Sequence, residues 1–414
     1  MIRKTQQMSH KSRLSLSKKK VIGIFFLVTG LIFLLYGLWW MFFRSTQLLS
    51  PISQNSSFQF LFNGEQTDAH AKRVVYGFLP YWNLNKFTLQ PETTHLSYFS
   101  LGIGKDGSIL TKTKDGTAEQ GYAKLSSEDV LSFFNQERNQ GGRVDITFTA
   151  FDPEEIASFL ANPNAHQKFI TSLDSILEAY PVDGVNIDIE YTGEVNDQIR
   201  QNLVTFMTEL HTHLNQKKTP VQLSIDMFVS GASKYYIWNV PEIQKQVDYV
   251  VVMAYDFHRV SSPAAGPVAP LFGGKKLWDS DITQYLKDFV AAVPNQKILL
   301  GIPFYGYEWQ TISTDSQAAT FPDSGSTATL QRVQDLIDSK DKNQGKEYGN
   351  EDALSPYLSY KKDGETHIIY YENSRSISYK LDLVNQLNLG GIAIWSLGYE
   401  GNSRDLWDVI KRKI

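Results

Sequence analysis

The chain has 414 residues, 42% hydrophobic and 20% charged, which excludes a wholly disordered protein and suits one large α/β domain with additions. It has no cysteine, which excludes disulfides, thiolate metal sites and a cysteine nucleophile, though not an extracellular location. The net charge of −4 is unevenly spread: residues 1–44 carry eight basic and no acidic residues, and the remainder carries 32 basic against 44 acidic ones, a poor surface for nucleic acid.

The first predicted element is a run without charge over residues 21–43. At about 1.5 Å per residue, such a helix spans a hydrocarbon core of roughly 30 Å. Trp39 and Trp40 stand near its end, where interfacial aromatics belong. Arg3, Lys4, Lys11, Arg13, Lys18, Lys19 and Lys20 precede it, and only Arg44 closely follows. The positive-inside rule therefore makes 1–20 a cytoplasmic tail and 21–43 a single-pass anchor in the cell membrane, with the body extracytoplasmic. The alternative is a cleaved signal peptide, which needs a shorter apolar region of about 7–15 residues and a small-residue cleavage site. The segment Leu38–Phe43 offers no such site. Residues 44–72, rich in Ser, Gln and Asn, read as a polar linker, and the folded body begins at 73.

Across 73–414, short β-branched or aromatic runs alternate with helical patterns. Candidate strands are Val74–Leu79, Leu96–Leu101, Val144–Ala150, Gly184–Ile189, Gln222–Phe228, Tyr249–Tyr255, Ile298–Pro303 and Gly391–Trp395. Leu203, Met207, Leu210 and Leu214 recur at helical spacing. A second helix runs from Val130 after Ser126 and Ser127, and a third from Ile282 with Asp279 or Ser280 available as cap. Eight strands with helices between them predict an α/β fold, a (β/α)8 TIM barrel, with a doubly wound open sheet as the pattern's alternative. Between strands seven and eight, about 310–388 is too long for one βα unit and predicts a small α+β insertion. Within it Thr327–Ser339 reads as a helix. Tyr357–Lys361 and His367–Glu372 read as a hairpin turning at Asp363-Gly364.

The chemistry concentrates in strand four, Asp183-Gly184-Val185-Asn186-Ile187-Asp188-Ile189-Glu190. Alternation sends Val185, Ile187 and Ile189 toward covering helices and Asn186, Asp188 and Glu190 into the barrel. Burying amide and carboxyl groups costs free energy unless each finds partners. A buried polar ladder is the plain structural explanation. The functional one rests on Glu190 lying at the C-terminal end of the strand, where barrel active sites are built. Two acids two residues apart on one face lie roughly 6–7 Å apart at Cβ, close enough to couple and to poise one as a general acid.

This strand resembles the signature Asp-Gly-x-Asp-x-Asp-x-Glu of glycoside hydrolase family 18, the chitinase-like enzymes, with Asn186 in place of the first inner aspartate. Met253-Ala254-Tyr255-Asp256, Gly301-Ile302-Pro303-Phe304-Tyr305-Gly306 and Gly390-Gly391-Ile392-Ala393-Ile394-Trp395-Ser396 resemble further family segments in the right order, so the likeness covers about 73–414. The resemblance implies that Glu190 is the general acid/base. Asp188 would orient the substrate's 2-acetamido group and stabilise the oxazolinium ion it forms, and Tyr255 would hydrogen-bond that group. Asp256 would hold the sugar, and Trp395 would floor it. Asn186, Met253, Asp226 and Tyr305 join the substrate-binding set. The implied partner is a glycan containing N-acetylglucosamine, chitin-like or peptidoglycan, with no cofactor and no metal. A catalytically inactive carbohydrate-binding barrel is the alternative, and an envelope scaffold a third. Strand three lacks the family's Ser-x-Gly-Gly, and strand five carries Asp226, expected inside the barrel.

Other features carry less. His211 and His213, two apart on a helix, diverge and read as a solvated face. Gly102-Ile103-Gly104-Lys105 lacks the spacing of a phosphate loop. Tyr81, Trp82, Trp309 and Tyr399 follow strand ends and are either core or sugar platforms.

Overall fold

The computed structural model describes residues 73–414 and, before them, Thr29 alone. The expected tail over 1–20, span over 21–43 and linker over 44–72 lie, that threonine apart, outside the described residues. Among the described residues, no helix is long and apolar enough to cross a membrane.

Seven strands succeed one another first: β1 (Val74–Pro80), β2 (His95–Gly102), β3 (Arg143–Ala150), β4 (Gly184–Ile189), β5 (Gln222–Phe228), β6 (Tyr249–Met253) and β7 (Ile298–Pro303). The chain then leaves for β8 (Tyr305–Thr311), β9 (Ser326–Thr329), β10 (Lys346–Asn350), β11 (Ser355–Lys362) and β12 (Glu365–Tyr370), and returns as β13 (Gly391–Trp395). The first seven and β13 close into a parallel barrel in the order β1-β13-β7-β6-β5-β4-β3-β2. Strands of such a barrel are buried on both faces, which is why β6 and β7 read as nearly unbroken apolar runs. Closure puts β13 against β1, with Gly391 opposite Val74. A Cβ at Gly391 would lie 2.0 Å from the Val74 carbonyl oxygen, so only glycine fits that seam. Inside the barrel pack Tyr76, Phe78, Phe99, Val251, Leu299 and Ala393.

Helices cover the outside. Leu203, Met207, Leu210 and Leu214 form the buried face of the helix Asp197–Asn215. Ser127 caps Glu128–Asn139 through the Val130 amide. The helix Ile282–Ala292 is capped by Asp281 and not by Asp279 or Ser280. Asp281 wins because one of its carboxylate oxygens accepts from the Gln284 amide at 2.9 Å while the other accepts from the Gly274 amide at 2.8 Å, tying the helix start to the preceding loop.

The five remaining strands form an antiparallel sheet in the order β10-β11-β12-β8-β9. The hairpin turns where expected: Lys362 pairs with Glu365, and Asp363 and Gly364 between them both have positive φ (53° and 86°), as a type I′ turn requires. Strands β8, β9 and β10 were not anticipated. β8 starts at Tyr305, only Phe304 separating it from β7, so this sheet begins ahead of residue 310.

Candidate active site

Val185, Ile187 and Ile189 are fully buried on the outer face of β4. Asn186 and Asp188 point inward and are buried too, and Glu190 follows half-buried at the strand end. Asn186 faces Ser224 and Ile187 faces Ile225 across β4 and β5, so one step further Asp188 comes beside Asp226. Asn186 Nδ2 donates to Ser224 Oγ at 3.0 Å and to Asp226 Oδ1 at 2.8 Å. Asn186 therefore sits below the cleft, outside its lining, and is not placed to touch a substrate. Its amide serves Asp226, not Asp188.

Burial dominates the electrostatics. It pushes the Asp188 carboxyl well above the usual range, and the charges of Asp226 and Glu190 push it further. Burial raises Asp226 to about 8 against the opposing hydrogen bond from Asn186. Burial also raises Glu190, with Arg259 pulling down and Asp256 pushing up. A carboxyl that keeps its proton toward neutral pH is the property a general acid needs. Asn186 does remove one carboxylate neighbour from Asp188, yet Asp226 supplies another, so an unusually acidic Asp188 is not what this interior produces.

At the end of β6, Asp256 has a left-handed backbone (φ 62°), a region that aspartate tolerates better than most residues. That turn delivers its side chain to two phenols: the Tyr305 and Tyr307 hydroxyls both donate to Asp256 Oδ1, the second at 2.9 Å. Arg259 Nε donates to the Asp256 carbonyl oxygen at 3.2 Å. Tyr255 is pushed well above the ordinary phenol value by burial and by Asp226, Asp256, Asp188 and Glu190, so its hydroxyl stays a donor. Space for its ring comes from Gly301, where a Cβ would stand 3.0 Å from Tyr255 Cε1. Met253 lines the same wall.

These groups open into a cleft of about 900 Å³ at the C-terminal mouth of the barrel. Its floor is Trp395, with ring centroids 4.6 Å from Phe99, 6.0 Å from Phe78 and 6.5 Å from Trp82. Trp82 and Phe151 stand at the rim, 41% and 50% exposed. Tyr399 also lines the cleft, whereas Trp309 is buried in the insertion and Tyr81 packs edge-on against Trp82. The arrangement offers raised carboxyls, fixed hydroxyls and an aromatic floor in one cleft. Among the described residues, no group of three or more histidine, aspartate and glutamate side chains is placed to hold a metal ion.

The sequence reading missed Tyr307, Arg259, Phe99 and Phe151. Tyr307 was findable two residues after Tyr305 once β8 is recognised as a strand. Arg259 was findable as a cation three residues beyond Asp256. Phe99, inside β2, and Phe151, just past β3, carry no signal that sets them apart from core aromatics.

A family profile described as glycosyl hydrolases family 18 matches residues 69–400. The chain is 24% identical to the cortical fragment-lytic enzyme of Bacillus anthracis, an alignment covering 75% of this chain and 66% of that protein. It is 26% identical to the class V chitinase of Arabidopsis thaliana, covering 61% and 67%. The chain thus spans about two thirds of the length of these relatives. Among solved structures, the family 18 chitinase of Cycas revoluta in complex with (GlcNAc)3 superposes with a TM-score of 0.68 at 21% identity, over 82% of this chain and 99% of that one. That likeness speaks to the fold.

Proposed function

Since this chain belongs to glycosyl hydrolases family 18, we propose that it is a retaining glycosidase acting on β-linked N-acetylglucosamine-containing glycans, chitin-like or peptidoglycan. The observation that carries the proposal is Glu190: a half-buried carboxyl of raised pKa at the mouth of an aromatic-floored cleft, above a second buried acid. The relatives' names support the substrate class, one being a cortical fragment-lytic enzyme and one a chitinase.

The proposed chemistry uses the substrate as its own nucleophile, as family 18 enzymes do in departing from the two-carboxylate scheme. Glu190 gives its proton to the glycosidic oxygen as the C1–O bond breaks. The acetamido carbonyl oxygen bonds to C1, forming an oxazolinium ion. Asp188 accepts from the acetamido N–H, and Tyr255 donates to the acetamido oxygen. Water then attacks C1 and loses its proton to Glu190. Holding the acetamido oxygen against C1 gives the effective molarity of an intramolecular reaction. Trp395 floors the sugar, Asp256 holds it from the side, and Tyr305 fixes Asp256 while Met253 fills the wall. Residues 21–43 anchor the chain in the cell membrane, with the barrel on the outer side.

The full chain in detergent tests this on chitooligosaccharides and on purified peptidoglycan. Products should appear from at least one and keep the β configuration by NMR. An α product overturns the substrate-assisted scheme. Binding without turnover leaves a carbohydrate-binding barrel. Protease added to intact cells should cut the barrel away, and full protection overturns the anchored topology.

A further inference from the structure

Asp226 has no part in the steps above, yet it is buried beside the residue that must carry negative charge in them. Two buried carboxyls on neighbouring strands, the charge of one acting on the other, cannot both be ionised at little cost, so such a pair favours holding one proton between them. Asn186 biases where that proton rests. An amide N–H requires an acceptor, and the 2.8 Å bond from Nδ2 ends on Asp226 Oδ1. The second hydrogen of that amide goes to Ser224 on the same strand as Asp226. That bond favours the carboxylate form of Asp226 against burial, and so biases the shared proton toward Asp188. Asp188 Oδ1, buried without a hydrogen-bond partner among the described residues, is the atom left to meet the substrate's amide.

We propose that Asp188 and Asp226 act as one proton-sharing pair, with Asp226 the positioning residue that receives the Asp188 proton while the acetamido group becomes cationic. The inference rests on the substrate-assisted reading above. The step balances: the O–H bond on Asp188 breaks, one forms on Asp226, and the negative charge moves from Asp226 to Asp188, beside the oxazolinium ion. After water attack the proton returns. The other titratable and charged groups facing the pair are Tyr76 on β1, Glu190 after β4, and Tyr255, Asp256 and Arg259 after β6. Tyr76 and Tyr255 are both held well above the ordinary phenol range by burial first of all, so neither competes for the charge. The raised positions of both aspartates agree with one shared proton.

The test moves the carboxyl between strands. Asp226→Asn should lower kcat about 10–100-fold with KM changed less than about threefold, the pattern of an interaction made in the transition state. The double variant Asp226→Asn with Asn186→Asp puts a carboxyl back beside Asp188 from its own strand. It should recover to within about fivefold of the wild type and restore the wild-type pH profile. Infrared spectra of aspartate-labelled protein at pH 7, without substrate, read the pair directly. The protonated-carboxyl band should weaken in Asp226→Asn and return in the double variant. Asp145, also buried and raised to about 7, is common to all variants and cancels in the difference. Wild-type rate and pH profile in Asp226→Asn overturn the proposal. So does a double variant that melts like the wild type yet is no better than the single one. Should Asp226→Asn fail to fold, titration of the labelled wild type decides: two separated steps support the pair, and a single step in the ordinary carboxylate range overturns it. A wild type that cleaves no glycan refutes the proposed function, and the infrared readout still judges the pair.

Discussion

The barrel and the inserted sheet build the same cleft by opposite means. In the barrel, both faces of a strand are buried, so β4 carries its polar groups on the inward side, where Asn186 finds acceptors on β5. In the insertion, β8 has two working faces. Tyr305, Tyr307 and Trp309 pack on one face with Tyr357, Ile368 and Tyr370, and the first two reach the cleft. Glu308, between them, points the other way to Arg332 and Tyr360, on the side where Ala328, Val333, Leu358, Ile369 and Tyr371 form a core of their own. The barrel supplies ionisable groups whose pKa burial sets. The insertion supplies neutral hydroxyls whose positions its sheet sets. Chemistry and alignment are thus assigned to separate layers, and substitutions in the two should differ in kind.

The barrel side carries the largest expected effect. Glu190→Gln should cut kcat by about 10²–10⁴, the usual worth of a general acid, with glycan binding nearly intact. Isothermal titration beside initial rates separates the two quantities. Near-normal turnover would move the general acid away from Glu190, with Asp226 the next carboxyl in the cleft.

Next comes the alignment side. Replacing Tyr305 and Tyr307 together by Phe removes both hydrogen bonds to the Asp256 carboxylate. Bonds to a charged group are worth about 1.5–3 kcal/mol, so kcat/KM should fall about 10–100-fold. The single variants should each lose less. The pH profile should stay in place, because no proton-carrying group has been removed. A shifted profile would mean that the insertion tunes pKa values as well as positions.

How much of this was legible differs between the layers for a physical reason. Strand four announced itself because Asn186, Asp188 and Glu190 break an otherwise apolar strand, and a buried polar residue is the informative exception. The eight barrel strands were legible as apolar runs of the right length. The bond from Asn186 to Asp226 was not, because it depends on the register between β4 and β5, and one strand's sequence does not contain its neighbour's register. β8 was hidden for another reason. The expected strand ends at Pro303, and the change from barrel to inserted sheet occurs over the single residue Phe304, too short a break to suggest a second strand. Missing that strand also hid Tyr307.

A smaller effect joins the layers at Arg259, which leans over the cleft and draws the Glu190 pKa down. Arg259→Gln removes that cation, so Glu190 should hold its proton to higher pH and the alkaline limb of kcat/KM should move upward. The side chain is exposed and screened, so the maximal rate should change by no more than a few-fold. Arg259→Lys should keep the limb where it is. Raising the salt concentration should move the wild-type limb in the same upward direction as Arg259→Gln. A downward shift would contradict the sign of the interaction.

Glu308 should affect activity least, and it tests whether the two faces of β8 are separable. Burial alone would raise its pKa, but the hydrogen bonds from Arg332 and Tyr360 outweigh burial and hold it below the ordinary value. A depressed carboxyl contributes stability that is present above its unfolded pKa and is lost as pH falls through the folded one. The insertion should therefore loosen in acid, and Glu308→Gln should flatten that dependence while weakening the sheet at neutral pH. Arg332 is partly exposed, so after screening the loss should be about 1–3 kcal/mol, read as a lower melting temperature. Turnover per folded molecule should remain within about threefold of the wild type, because Tyr305 and Tyr307 still point to Asp256 from the opposite face. Amide hydrogen exchange should place the loosening in β8, β11 and the helix Leu330–Asp338, and not in β4. A drop in kcat as large as that of the Tyr305–Tyr307 double variant would mean that Glu308 sets the position of Asp256 through the strand, and that the sheet works as one lever rather than two independent faces.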